Sequence, residues 1–161
     1  MKALLLSAAL AAGMLCFGTG NAAAQTRIFD GTSRYSSDVM YTVRNGKIYR
    51  GNSSYSSDIL CRVSGGKVYS GNSSYTSDVV MNFRDGKIYR GTSSYTSDVL
   101  FTIRNGKIYR SNSSYTSDIV ANIRDNRLYR GTSSYTSDVI INWDGLLTVE
   151  EFVALWYVMF I

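Results

Sequence analysis

Residues 47–66 read KIYRGNSSYSSDILCRVSGG, and a unit of this design fills most of the chain. Six copies of 20 residues, without insertion or deletion, occupy residues 27–46, 47–66, 67–86, 87–106, 107–126 and 127–146. Such regularity indicates a closed or stacked arrangement in which every copy meets equivalent neighbours.

Each unit predicts two antiparallel strands, which in the second copy are residues 47–50 and 58–63. Between copies lie dipeptides typical of two-residue type I′ hairpins, namely Asn45-Gly46, Gly65-Gly66, Asp85-Gly86, Asn105-Gly106 and Asp125-Asn126. In the last of these, asparagine can still take the positive φ that the turn requires. The other connection in each unit is polar and predicts a wider turn.

The alternation of side chains predicts which face of each strand is buried. Four columns of residues spaced 20 apart are apolar in every copy, and we expect the columns of Ile28, Val39, Tyr41 and Val43 to face the core. By the same alternation, the polar Thr42 column should face water. The Met40 and Tyr49 columns should also point outward.

The repeat stops after Gly145, and Thr148 with Glu151 forms a capping box that predicts a helix over 148–161. Every residue from Phe152 onward is apolar or aromatic, so protein or lipid must surround this helix. It rises only about 20 Å, which is too short for a bilayer but matches the height of a small barrel.

The predicted fold is therefore all-β, with six β-hairpin repeats closing a twelve-stranded antiparallel barrel around a hydrophobic C-terminal helix. The Tyr41 column varies from alanine to phenylalanine, as expected where one helix fills a symmetric wall. The alternative is a β-solenoid with the helix capping one end. The tight hairpins and the wholly apolar tail favour the barrel.

Residues 1–24 have the pattern of a secretory signal peptide, with Lys2, an apolar stretch and small residues at Ala22 and Ala24. We expect cleavage before Gln25 and export to the bacterial periplasm or the cell exterior, with residues 25–161 forming one domain. Cys61 would then be the single remaining cysteine, so stability must come from packing without an internal disulfide.

The repeated Lys-Ile-Tyr-Arg-Gly-x-Ser-Ser-Tyr-Thr-Ser-Asp-Val unit, the closing Trp143-Asp144-Gly145 and the apolar helix together resemble the bacterial β-flower proteins. The resemblance implies a short, wide barrel of hairpin petals around a hydrophobic C-terminal helix, and it implies no particular activity. In outline the predicted barrel is also similar to the tubby-type barrel, whose members bind membrane phosphoinositides. That second likeness is one of architecture, which does not carry function.

The composition argues against catalysis. The chain contains no histidine, so its many serines lack the commonest general base, and six near-identical copies argue against one asymmetric active site. Cys61 falls in an inward column, so we expect a buried thiol and not a nucleophile. We predict no catalytic residue, no metal and no cofactor. Without Lys2, 16 basic residues oppose 12 acidic ones, and this net charge of +4 permits anionic partners without requiring nucleic acid.

Basic residues flank the tight hairpins and predict a basic rim at that end of the barrel. They are Arg44, Lys47, Arg84, Lys87, Arg104, Lys107, Arg124 and Arg127. One interpretation is a solvated surface that protects strand edges. The other is attraction to an anionic lipid or a cell-envelope polymer, without a transmembrane span in the mature chain.

Two further rings follow from the repeat. The loop tyrosines Tyr35, Tyr55, Tyr75, Tyr95, Tyr115 and Tyr135 either pack between neighbouring petals or stack on glycans. Packing is the favoured interpretation. The aspartates Asp38, Asp58, Asp78, Asp98, Asp118 and Asp138 are expected to stabilise turns, because carboxylates spread around a wide barrel do not converge on one cation.

Overall fold

A computed structural model describes residues 25–161, and the predicted signal peptide lies outside the described residues. The described part contains β1 (Thr26–Asp30), β2 (Val39–Arg44), β3 (Lys47–Arg50), β4 (Ile59–Ser64), β5 (Lys67–Ser70), β6 (Val79–Arg84), β7 (Lys87–Arg90), β8 (Val99–Arg104), β9 (Lys107–Arg110), β10 (Ile119–Arg124), β11 (Arg127–Arg130), β12 (Val139–Asp144) and α1 (Val149–Phe160). Short 3₁₀ turns precede the six longer strands from β2 to β12.

The strands form one closed barrel in which each strand pairs with its neighbours in the chain and β1 pairs with β12. This confirms the predicted fold and excludes the solenoid. The seam between the two ends is held by Asp144, which accepts the Arg27 backbone N–H at 2.8 Å and the Arg27 Nε–H at 2.9 Å.

The two-residue hairpins lie together at one end of the barrel, which we call the hairpin pole. Asn45 and Gly46 both have positive φ, 52° and 67°, as a type I′ turn requires. A Cβ on Gly46 would stand 3.0 Å from the carbonyl oxygen of Val63, whose N–H donates to the Gly46 carbonyl at 2.7 Å. Glycine therefore permits both the turn and the close packing of each hairpin on the next.

A β-bulge in every unit changes the predicted alternation. Ile48 pairs with Cys61. Tyr49, the next residue, pairs with Ile59, which leaves Leu60 without a partner in β3. The same register shift occurs in the other five units, where the residue without a partner on the preceding strand is Met40, Val80, Leu100, Val120 or Ile140.

The bulge turns two columns over, because one extra residue reverses the faces of the residues beyond it. Leu60 and its equivalents pack against the core of the lumen, while Ile59 lies on the outer face opposite Tyr49. The predictions that the Val39–Ile59 column faces the core and that the Met40–Leu60 column faces outward are therefore wrong. The other three predicted core columns do face the lumen.

Helix α1 runs through this lumen. Its N-terminus lies at the hairpin pole, where Thr148 and Glu151 form the predicted capping box and the Glu151 carboxylate accepts the Gly46 N–H at 3.3 Å. Residues 152–155 are no more than 1 % exposed, whereas Phe160 and Ile161 emerge at the opposite end. We call that end, with the six wider connections, the loop pole.

The helix lies closest to β3–β6. On β4 the small Cys61 lets the helix approach, with its Sγ 3.7 Å from the Ala154 carbonyl oxygen. On β8 the larger Phe101 reaches inward and meets the Trp156 ring edge-on, with 5.3 Å between centroids. The varied sizes in the Tyr41 column thus adapt a six-fold wall to one helix, as predicted.

We expect Phe152→Ala to lower the free energy of unfolding by about 3–5 kcal/mol, because it empties the centre of the lumen. Urea denaturation measures the loss. Phe160→Ala, on the same helix but 44 % exposed, is the matched control and should cost about 1 kcal/mol. Equal losses in the two variants would contradict a core built around the helix.

Candidate functional site

The wider connections fold back over the outside of the barrel, and we call each of them a petal loop (residues 31–38, 51–58, 71–78, 91–98, 111–118 and 131–138). Thr42 donates its hydroxyl to the Gly51 carbonyl at 2.8 Å, and Arg44 Nη2 donates to the Ser54 carbonyl at 3.4 Å. The loop therefore covers outer-face residues such as Tyr49 and Ile59, both below 9 % exposed.

This cover corrects the prediction that the Thr42 column faces water for two of its six members, while the other four are partly exposed. The column does point outward, but Thr42 and Asn142 are almost completely buried beneath petal loops. Asn142 Nδ2 donates to the carbonyls of Gly31 and Ser33 at 2.9 and 2.7 Å. The polar column thus holds the loops on the wall.

The aspartate ring stabilises the petal loops, as predicted. In the second unit the Ser53 hydroxyl donates to Asp58 Oδ2 at 2.5 Å and accepts the Tyr55 N–H at 3.1 Å, and all six loops repeat this Ser–Asp pair. In the first loop, hydrogen bonds from Ser33 and Ser37 lower the pKa of Asp38. Within residues 25–161 no group of three potential metal ligands comes together.

The six loop tyrosines are exposed, which corrects the interpretation that they pack between petals. Their side chains are 73–76 % exposed, and Tyr55 has the same environment as its five equivalents. The local sequence does not distinguish a packed tyrosine from an exposed one, because a tyrosine next to serines is compatible with both. Six identical aromatic faces therefore stand on the outer flank of the barrel.

Arginine side chains lie over the buried outer-face tyrosines near the hairpin pole. Arg44 Cζ is 5.2 Å from the centre of the Tyr49 ring, and Arg124 Cζ is 4.9 Å from that of Tyr129. Cation–π contact and the buried stem fix the position of each guanidinium group. In addition, hydrogen bonds from Arg127 and Arg124 lower the pKa of Tyr129.

The second unit keeps this arrangement with a different residue. Ser64 replaces the arginine found at the end of four equivalent strands, and Arg62, two residues earlier, has its Cζ 5.6 Å from the centre of the Tyr69 ring. Sequence reasoning missed Arg62 because it compared only equivalent positions of the repeat, and it left out Lys67 because Ser64 gives that hairpin no second basic residue. The basic belt, as we now define it, consists of Arg44, Lys47, Arg62, Lys67, Arg84, Lys87, Arg104, Lys107, Arg124 and Arg127.

Like charges face each other directly across the strands of this belt. The opposed pairs are Arg44 and Lys47, Lys47 and Arg62, Arg84 and Lys87, Arg104 and Lys107, and Arg124 and Arg127. Directly opposed like charges destabilise a sheet. Among the described residues only Asp85 and Asp125 lie within 4.0 Å of a belt arginine, so most of the positive charge is uncompensated.

Cys61 is the one described cysteine, and its thiol is shielded from solvent. Its thiol is fully buried in the lumen, and burial raises its pKa from 9.0 to about 12. The thiol therefore stays protonated at neutral pH, where only a thiolate would be nucleophilic. This confirms the predicted buried position of Cys61.

These features define a class of protein, a closed six-fold barrel of hairpins around a central helix. The family model described as "6-fold beta flower protein" matches residues 28–156, and the chain belongs to this family. No curated protein and no solved structure matches the chain. None of the helices in residues 25–161 has the length and apolar content needed to cross a membrane.

We expect iodoacetamide to alkylate Cys61 roughly a hundredfold more slowly in the native protein than in concentrated guanidinium, because the reagent needs an exposed thiolate. Mass spectrometry of samples quenched over time gives both rates. Labelling at equal rates would mean that the lumen opens freely.

Proposed function

We propose that this chain is an exported structural and binding module, which associates through its basic belt with an anionic surface of the cell envelope, either membrane lipid or wall polymer. The β-flower architecture supports the structural part of the proposal. The signal-peptide pattern of residues 1–24 supports export to the periplasm or the cell exterior.

The opposed like charges of the basic belt carry the proposal for binding. A purely structural surface gains stability from alternating charges, whereas pairs such as Arg44 and Lys47 cost stability in the free protein. An anionic surface would relieve that repulsion. The tyrosines beneath the arginines already fix the guanidinium groups in the free protein. Binding therefore costs little side-chain conformational entropy.

A non-enzymatic role agrees with the rest of the described molecule. The lumen is lined by apolar side chains, and its one thiol has a raised pKa. The polar residues of the petal loops are engaged in repeated hydrogen bonds such as that of Ser53 with Asp58. Six-fold repetition favours many weak equivalent contacts over one reactive centre.

Vesicle co-sedimentation tests the belt. The protein should bind vesicles that contain anionic lipid, should not bind neutral ones, and should be released by salt. Replacing Lys47, Lys87 and Lys107 by glutamine should weaken binding roughly hundredfold, at about 1 kcal/mol for each basic residue near the surface. These lysines do not lie over the tyrosines, and their removal relieves like-charge repulsion, so the variant should be at least as stable as the parent protein.

The matched control removes three charges from the opposite pole. Arg50, Arg110 and Arg130 are exposed there, and their replacement by glutamine gives the same net charge as the lysine variant. Binding that falls equally in both variants would reflect net charge alone and would contradict a role for the belt. A parallel assay with purified anionic wall polymer distinguishes lipid from polymer.

A second candidate function is glycan binding, and the exposure of the loop tyrosines favours it. Six open aromatic faces on one flank could stack on sugar rings, with affinity raised by multivalency. Replacing Tyr55, Tyr95 and Tyr135 by alanine should then abolish signals on a glycan array. The matching phenylalanine variant, which keeps the rings, should retain them, and an array without any signal would exclude this function.

A further inference from the structure

The lumen opens at the loop pole, and the opening is apolar. The bulge turns Leu60 and its equivalents inward there, at the end of the barrel from which Phe160 and Ile161 emerge. The petal loops fold down the outer wall and do not close this opening, as the bond from Thr42 to Gly51 indicates. We call this opening the mouth.

Four arginines surround the mouth. Each is the last residue of its strand and pairs with a residue that faces the lumen; these mouth arginines are Arg50, Arg90, Arg110 and Arg130. They are exposed, and within residues 25–161 none of them forms an ion pair or lies over an aromatic ring. They thus differ from the belt arginines, which the outer tyrosines hold.

A cavity of about 430 Å³ that is widely open to solvent lies at the mouth, beside the end of the helix. Apolar side chains line it on β6 and β8, with Ile161 on the helix side and Arg90 supplying the one charged side chain; the apolar residues on the strands are Val80, Met81, Leu100 and Phe101. Ligand pockets of small molecules hold roughly 300–1,000 Å³, so this volume suits a small ligand. The helix lies closest to β4, and β8 is outside the group of strands nearest to it, which leaves space on this side.

We propose that this cavity binds one fatty acid, with the acyl chain against Val80, Leu100 and Phe101 and the carboxylate on Arg90. An apolar space with one unpaired guanidinium at its edge matches an amphiphile with an apolar tail and an anionic head. A guanidinium binds a carboxylate through two parallel hydrogen bonds.

The site is distinct from the basic belt. It lies at the opposite pole, it is formed beside the end of the one helix, and it does not depend on surface association. At the position equivalent to Arg90, two other units carry Asp30 and Ser70, which have no positive charge.

Isothermal titration of the purified protein with monomeric dodecanoate, below its micelle concentration, tests the proposal. One equivalent should bind. Dodecyltrimethylammonium, which has the same tail and the opposite charge, should bind at least about tenfold more weakly, and butyrate, which keeps the head without the tail, should not bind detectably. Equal binding of both surfactants, or no binding of dodecanoate, would overturn the proposal.

Two variants locate the ligand. Arg90→Gln should weaken dodecanoate binding roughly tenfold, whereas Arg130→Gln, in the same ring but outside the cavity lining, should change it by less than about twofold. Val80→Phe should fill the cavity and abolish binding, while Val120→Phe makes the same change elsewhere in that column. Thermal melts establish that each variant is folded. If the phenylalanine variants are unstable, Arg90→Gln still tests the site, because Arg90 is exposed and its replacement should not affect folding.

Equal losses of dodecanoate affinity in the two arginine variants would mean that the summed positive charge of the mouth attracts the ligand. That result would overturn the proposed site. The site would also be overturned if the protein ignores monomeric dodecanoate but binds anionic vesicles in a manner that depends on Arg90. In that case the mouth would be a membrane contact. Loss of vesicle binding in the lysine variant of the belt would leave the fatty-acid result unchanged, since the two sites are at opposite poles.

Discussion

The structure depends on one constraint, which is that a closed wall of twelve strands encloses more space than its own side chains fill. The inward residues of the Ile28 column are fully buried only because α1 occupies the axis. The wall in turn buries Phe152 and Trp156 of the helix. Wall and helix are therefore one cooperative unit. The Gly46 N–H bound to Glu151 ties the start of the helix to the first hairpin, so the turn at the pole also fixes the depth of the helix.

Filling a six-fold wall with one helix breaks the symmetry on the inside while preserving it on the outside. Cys61 and Phe101 occupy equivalent positions, yet one lets the helix approach and the other reaches toward Trp156. Outside, every petal loop repeats the same Ser–Asp hydrogen bond and the same exposed tyrosine. The exterior thus suits repeated weak contacts, whereas a unique pocket can arise only in the lumen.

Local signals predicted the parts whose geometry is set by a few neighbouring residues. Asn45-Gly46 specifies its turn by φ alone, and Thr148 with Glu151 begins the helix wherever the helix then lies. The bulge at Leu60 escaped prediction because alternation assumes regular pairing, and an extra residue shows only when the register with Tyr49 is known. Comparison of equivalent positions likewise hid Arg62, whose contact with Tyr69 runs across strands.

The same bulge connects fold and candidate function. Without the bulge, Leu60 and Val80 would point outward and would form an apolar band on the outer face of the barrel. Ile59 would then face the lumen at the mouth in their place. With the bulge, the outer face keeps Ile59 beneath a petal loop, and the mouth gains an apolar ring directly inside Arg50 and its equivalents. The position of an apolar column next to unpaired guanidinium groups therefore follows from one inserted residue per repeat, not from any change in composition.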